Sequence, residues 1–172
     1  MSNREIMLRA LKNSVIKGLQ IKGFEGKYPH FKKILPDCVE LIDFQTNKYG
    51  GSFTIEVSAV FPNSKVTNLS GLTATVDANK VDVAYTNQRY RLDGMYDGWF
   101  YYRDIYRKRT LFFGNIYRDV SEKEAADFVP PNGFKLVQKF NEDTAVQICK
   151  EINIQFKKAQ KWLSDFESQN GK

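Results

Sequence analysis

The run from Cys38 to Phe61, CVELIDFQTNKYGGSFTIEVSAVF, alternates apolar and polar residues in two stretches parted by Lys48-Tyr49-Gly50-Gly51. Phe53, Ile55, Val57, Ala59 and Phe61 alternate with Ser52, Thr54, Glu56 and Ser58, and only an extended chain puts the first set on one face. Ile42 and Phe44 alternate in the same way with Asp43 and Gln45, and the paired glycines supply the positive φ angles of a tight reversal. The pattern predicts a hairpin with Phe44 opposite Phe53, Ile42 opposite Ile55 and Asp43 beside Thr54. In that register Glu40 falls beside Val57, where a sheet end or a basic partner is needed to accommodate it. Two strands are marginal by themselves, so the apolar face needs a cover.

The two ends of the chain supply candidates for it. Ser2 and Glu5 have capping-box spacing, and Leu8, Leu11, Val15 and Leu19 recur at helical intervals, which predicts a helix over residues 3 to 21. Gly18 inside it implies close packing on a neighbour or an early end, and Phe24 after Gly23 is a hydrophobic plug. Near the C-terminus Asn141 or Asp143 caps a helix in which Cys149, Ile152, Phe156, Ala159, Leu163 and Phe166 form one stripe. That stripe is expected to lie across the sheet; its use in a homo-oligomer is the alternative.

Between these elements the signals are shorter. Residues 28 to 35, YPHFKKIL, read as a first strand with Pro29 at its start or on an edge, and Pro36-Asp37 as a turn. From Pro62 to Lys80 a polar connection has only Val66, Leu69, Leu72 and Val76 to pack, followed by a modest strand at Val81, Val83 and Tyr85. Asn87 to Leu92, if extended, puts Arg89 and Arg91 on one face and Tyr90 and Leu92 on the other. Asp93-Gly94 and Asp97-Gly98 mark turns, Ser121 to Glu124 a short helix ended by Pro130-Pro131, and Phe134 to Phe140 a last strand. The expected architecture is one α+β domain over residues 1 to 172, an antiparallel β-sheet covered on one face by the N- and C-terminal α-helices.

Composition agrees with a folded chain: 42% of residues are hydrophobic and 14% aromatic, which argues against disorder. The net charge of +6 is unevenly placed, with eight Lys/Arg against two acids in residues 1 to 35 and five against one in residues 99 to 118. Such a distribution steers anionic partners, nucleic acid or an acidic protein, although a lysine-rich face also serves solubility alone. Cys38 and Cys149 fall at apolar positions and read as reduced core thiols. Arg4, Glu5, Arg9 and Lys12 interrupt any signal-peptide core, and no apolar run is long enough to span a bilayer, so a cytoplasmic protein with no membrane partner is expected.

With His30 as the only histidine, the usual His-dependent triads and multi-histidine metal sites are excluded, and Tyr49-Gly50-Gly51 lacks the spacing of a phosphate loop. No metal and no cofactor are expected. Asp43 and Glu56 project to the polar face of the hairpin with Gln45 and Thr54 near them, and Arg89, Arg91 and Trp99 are candidates to meet that face. Two acids beside two arginines suit acid-base or phosphoryl chemistry, or else neutralise one another, which is the favoured reading. Trp99 to Arg118 carries eight aromatic and five basic residues, the mixture that stacks bases and meets phosphates on single strands. Arg103, Arg107, Lys108 and Arg109 would make those phosphate contacts, while aromatic strand formers and snorkelling arginines explain the same mixture structurally.

At Gly23-Phe24, His30 to Ile34, Leu41 to Gln45, Phe53 to Val57, Arg89-Tyr90-Arg91-Leu92 and Asp97-Gly98-Trp99-Phe100 the chain resembles the bacterial proteins grouped as domain of unknown function 4304. The resemblance implies an α+β fold and brings no established activity and no catalytic residues. No catalytic residue is therefore assigned. The expectation is a non-catalytic binding or protein-interaction domain that meets another protein through the polar sheet face, in a bacterial interaction or defence system. Nucleic-acid binding through residues 99 to 118, and a small enzyme using Asp43 or Glu56 with Arg89 and Arg91, are the alternatives.

Overall fold

The N-terminal helix starts where its cap predicts: Glu5 N donates to Ser2 Oγ and Ser2 N donates to Glu5 Oε2 at 2.7 Å. In this computed structural model, which describes residues 1–61, 65–67, 71–75, 77, 80–81, 83, 86 and 88–170, helix α1 (Asn3–Leu11) passes through a π-helical segment (Lys12–Ile16) into α2 (Lys17–Ile21). The wide segment has a reason in the spacing. Met7, Leu11, Val15 and Leu19 are four residues apart, so in a pure α-helix the stripe would drift around the axis, and a wider turn takes up the drift. Gly18 meets neither expectation placed on it: the helix continues, and a Cβ there would have nothing within 4 Å. Phe24 is buried as a plug should be. Strand β1 (Glu25–Lys27), not foreseen in the sequence, pairs with β2 (His30–Ile34), and Pro29 lies in the turn between them.

The hairpin of β3 (Val39–Thr46) and β4 (Ser52–Val60) forms with Ile42, Phe44, Phe53, Ile55, Val57 and Ala59 on one face. Its register differs from the predicted one by two residues: Phe44 faces Ile55, Ile42 faces Val57, and Asp43 faces Glu56. The turn is the cause. Asn47 N donates to Ser52 O at 3.0 Å and Thr46 pairs with Phe53, which centres the reversal between Tyr49 and Gly50; inside it Gly50 N donates to Asn47 O at 2.8 Å and Tyr49 N to Asn47 Oδ1 at 2.9 Å. Because the slip is even, no side chain changes face. Glu40 now faces Ala59, and its carboxylate lies 3.5 Å from Lys33 Nζ, the basic partner its position calls for. Burial is the larger influence on Glu40 and raises its pKa; Lys33 opposes that shift and Glu167 adds to it.

Strands β5 (Lys65–Thr67) and β6 (Thr73–Thr75) form a two-stranded ribbon within the long connection. Leu69, Val76 and Tyr85, to which packing or strand roles were given, lie outside the described residues. β7 (Tyr90–Arg91) and β8 (Phe100–Tyr101) both pair with β4, completing a main sheet of order β1-β2-β3-β4-β7 with β8 also on β4. A second sheet holds β9 (Asp104–Thr110) between β10 (Gly114–Val120) and β11 (Lys135–Gln138). Ser121 is hydrogen-bonded to Glu124 as a cap would be, yet residues 122–127 make only turns, with no apolar stripe to extend them into a helix. Helix α3 (Glu142–Asn170) begins at Asn141, whose Oδ1 accepts from Thr144 N at 2.9 Å.

The fold is α+β. Met7, Leu11, Val15 and Leu19 from the N-terminal helix and Ile148, Ile152, Phe156 and Leu163 from α3 cover Phe31, Ile42, Phe44, Phe53, Ile55 and Val57 on one face of the main sheet. The α3 stripe is thus buried against the sheet. The expectation that the opposite, polar face stands open fails at β4, where Ser52, Thr54 and Ser58 are also buried. Neighbouring segments lie over them. Ser58 Oγ donates to Gln88 O at 2.7 Å, and Val81 and Val83 pack on Val39, Leu41 and Val60 in a second apolar cluster.

Gly51, at φ 79°, also marks where the second sheet begins: a Cβ on it would lie 1.8 Å from Arg103 Nε. Gly51→Ala is therefore expected to cost about 1–3 kcal/mol, from strained backbone and displaced Arg103 together, whereas Gly18→Ala should stabilise by about 1 kcal/mol. Urea melts of the two variants read both signs. A second expectation concerns pH. A folded Glu40 whose pKa is held above the ordinary carboxyl value contributes stability that is fully present below the unfolded-state pKa and is lost as pH rises through the folded-state one. Stability profiles of wild type and Glu40→Gln across the acid range should show this slope in the wild type and its absence in the variant.

Candidate functional site

Strand alternation fixes the members of the polar cluster. Asp43, Gln45, Thr54 and Glu56 project from β3 and β4 to the face away from the helices, and the register of Arg91 opposite Glu56 brings β7 onto the same face. The Glu56 carboxylate accepts from Gln45 Nε2 at 2.9 Å and from Arg89 Nη1 at 3.1 Å. Arg91 Nε donates to Thr54 Oγ1 at 2.8 Å, and its guanidinium lies 5.0 Å from the Trp99 ring centre. Asp43 Oδ1 is 2.8 Å from Nδ1 of His30, which is exposed at the start of β2 and was not included in the predicted site. The signal was there to be read: His30 follows Pro29 at a strand start, where pairing with β3 brings it beside Asp43.

All seven residues predicted to bind a ligand thus lie on or beside one face. Their hydrogen bonds run mostly among themselves. Glu56, at 13% side-chain exposure, holds an arginine and an amide on the same oxygen, Oε2. A hollow beside this face, lined by Glu25, His30, Lys32, Asp43, Val81 and Val83, is a shallow cleft of about 150 Å³, smaller than small-molecule sites usually are. Geometry of this kind fastens strands together. The two thiols are equally withdrawn: burial pushes Cys149 up to about 12, and burial with Glu167 beside it does the same for Cys38.

The basic-aromatic segment is the short strand β8 followed by β9, most of β10 and the turn between them. Arg103 leaves β8 toward the hairpin turn, where Nη1 donates to Asp119 Oδ2 at 2.8 Å and Nη2 to Tyr49 O at 3.1 Å. Tyr102 N donates to Gly51 O at 2.9 Å, and Gln138 Nε2 donates to the carbonyls of Tyr101 and Arg103. Arg103 is therefore an anchor of the second sheet. Lys108 lies on one face of β9, 6.0 Å over Phe134, with Tyr106 packed on Phe128. Arg107 and Arg109 are exposed on the other face, and Lys135 of β11 sits directly opposite Arg107. The rings of the segment are largely engaged: Phe100 and Tyr102 are in the core, and Tyr101 and Tyr117 both pack on Tyr96.

A family model described as a domain of unknown function, DUF4304, matches residues 15–165. The chain belongs to the DUF4304 family. The match runs beyond Phe100, through the second sheet and into α3, and leaves α1 outside it, so it spans both sheets and most of α3. No curated protein and no solved structure matches the chain.

If the polar cluster is a fastening, removing its central acceptor should be felt in stability. Glu56→Ala is expected to cost about 2 kcal/mol, since it removes from a mostly buried site the acceptor that Gln45 and Arg89 share, and Arg89→Met in the same background should recover part of that loss. A double-mutant cycle by chemical denaturation measures both.

Proposed function

We propose that this DUF4304 protein is a non-catalytic binding protein that meets an anionic partner through the outer face of its second sheet. The observation that carries the reading is the cluster of Arg107, Arg109 and Lys135 on one exposed face, with none of the described acids paired to them. Asp119, on the same side of β10, is already held by Arg103. The polar face of the main sheet, the first surface the sequence offers, supports the reading less well because β4 is covered there and Glu56, Thr54 and Arg91 are bonded to one another. Catalysis by Asp43 or Glu56 with the two arginines finds the same obstacle. A stacking platform for single-stranded nucleic acid would need free rings on the basic face, and Tyr117, the ring next to Arg107 there, packs on Tyr96.

Cations exposed on one face raise the local concentration of anions and do so less as salt increases. The purified protein is expected to bind at least one of three anionic probes: a polyglutamate peptide, a single-stranded oligonucleotide or vesicles containing phosphatidylglycerol. Replacing Arg107, Arg109 and Lys135 together by Gln should weaken that binding about tenfold or more, and Asp43→Asn should leave it unchanged. Equal binding by the triple variant, or turnover in a hydrolase screen that disappears with Asp43→Asn, overturns the reading.

A further inference from the structure

At the far end of the second sheet, β9 and β10 are joined by Leu111-Phe112-Phe113, and these three side chains are 97%, 91% and 80% exposed. The turn that presents them is built and closed. Phe113 N donates to Thr110 Oγ1 at 3.0 Å, and Thr110 Oγ1 donates to Gly114 O at 3.2 Å. Thr110 and Gly114 pair with each other at the end of the ladder. Three large apolar groups in water at a convex apex contribute nothing to the core, and such patches mark contact surfaces.

The surroundings say what kind of contact. From Ile105 to Arg118 the finger contains no acid at all, whereas Arg107, Lys108, Arg109 and Arg118 lie along it. At a strand rise of about 3.3 Å per residue, Arg109 sits roughly 7 Å behind Leu111 and Arg107 about 13 Å behind it. Apolar groups at the very tip with cations one headgroup-depth behind them match the layering of an anionic bilayer, acyl chains beneath phosphates. A convex tip also suits a medium that deforms around it better than a rigid protein surface, which would need a matching pocket.

We infer that the Leu111-Phe112-Phe113 tip inserts into the headgroup boundary of an anionic membrane while Arg107, Arg109 and Lys135 lie against its lipid phosphates. This rests on the proposed binding role of the basic face and names its partner. It departs from the expectation of no membrane partner; no described helix is long and apolar enough to cross a membrane, and the contact inferred is interfacial. The two terms act together, because apolar insertion is shallow and charge attraction alone is screened by salt.

Co-sedimentation with phosphatidylcholine vesicles, with and without phosphatidylglycerol, tests it. Wild type should pellet with the anionic vesicles and remain in the supernatant with the zwitterionic ones. Phe112→Ser/Phe113→Ser should lower the vesicle affinity about tenfold without lowering the melting temperature, since both rings are exposed, and should leave polyglutamate binding unchanged. Undiminished vesicle binding by the tip variant overturns the inference, as does failure of the wild type to bind anionic vesicles at all. If the wild type ignores vesicles yet binds polyglutamate or the oligonucleotide through Arg107, Arg109 and Lys135, the membrane inference falls and the binding role of the basic face stands. If it binds none of the three, both fall.

Discussion

Both faces of β4 are out of water, and polar side chains occupy one of them. A buried hydroxyl or carboxylate without a partner costs more than most single contacts contribute, so whatever covers Thr54, Glu56 and Ser58 has to bring donors and acceptors with it. Arg91, Arg89 and the Gln88 carbonyl do so. The apolar half of the same strand is ordinary by comparison, a row of Phe53, Ile55, Val57 and Ala59 under two helical covers. The chain on either side of β7 must therefore lie where it does, because the polar half of β4 admits few other partners.

The second sheet depends on the same strand from its other end. Ser52 and Phe53 pair with Tyr101 and Phe100, so the chain leaving β4 territory is already fixed in direction when it reaches Arg103. There the missing side chain of Gly51 admits the guanidinium, which ties the Tyr49 carbonyl to Asp119 of β10. Gln138 adds its bonds from β11. The finger is therefore well held at its base, and its outer half, from Leu111 to Ile116, is exposed throughout.

Much of this could be read from residue order where the signal was local. The helix cap at Ser2 and Glu5, the faces of β3 and β4, the opposition of Arg89 and Arg91 to Tyr90 and Leu92, and the stripe of α3 all follow from periods of two or of three to four residues. The hairpin register did not follow, because alternation determines which face a side chain takes and is silent about shifts of two; the closure of Asn47 on Ser52 settles it. The cover over the polar face was hidden for another reason: burial of Thr54 and Ser58 depends on segments thirty or more positions away. Arg103 looked like its basic neighbours and differs only through Gly51, distant in sequence. The Leu111-Phe112-Phe113 apex stood inside a stretch counted for its aromatic content, and only the Thr110-to-Gly114 closure separates those two rings from the ones that pack.

The joint at Gly51 and Arg103 has a mechanical consequence. A load applied at the apex travels down two paired strands to a short, cross-braced fulcrum and from there into the central ribbon and the helical layer behind it. The projection is thereby joined through one short span to β4, a strand buried on both faces, so a contact made at the apex is tied to the core rather than to a loose loop.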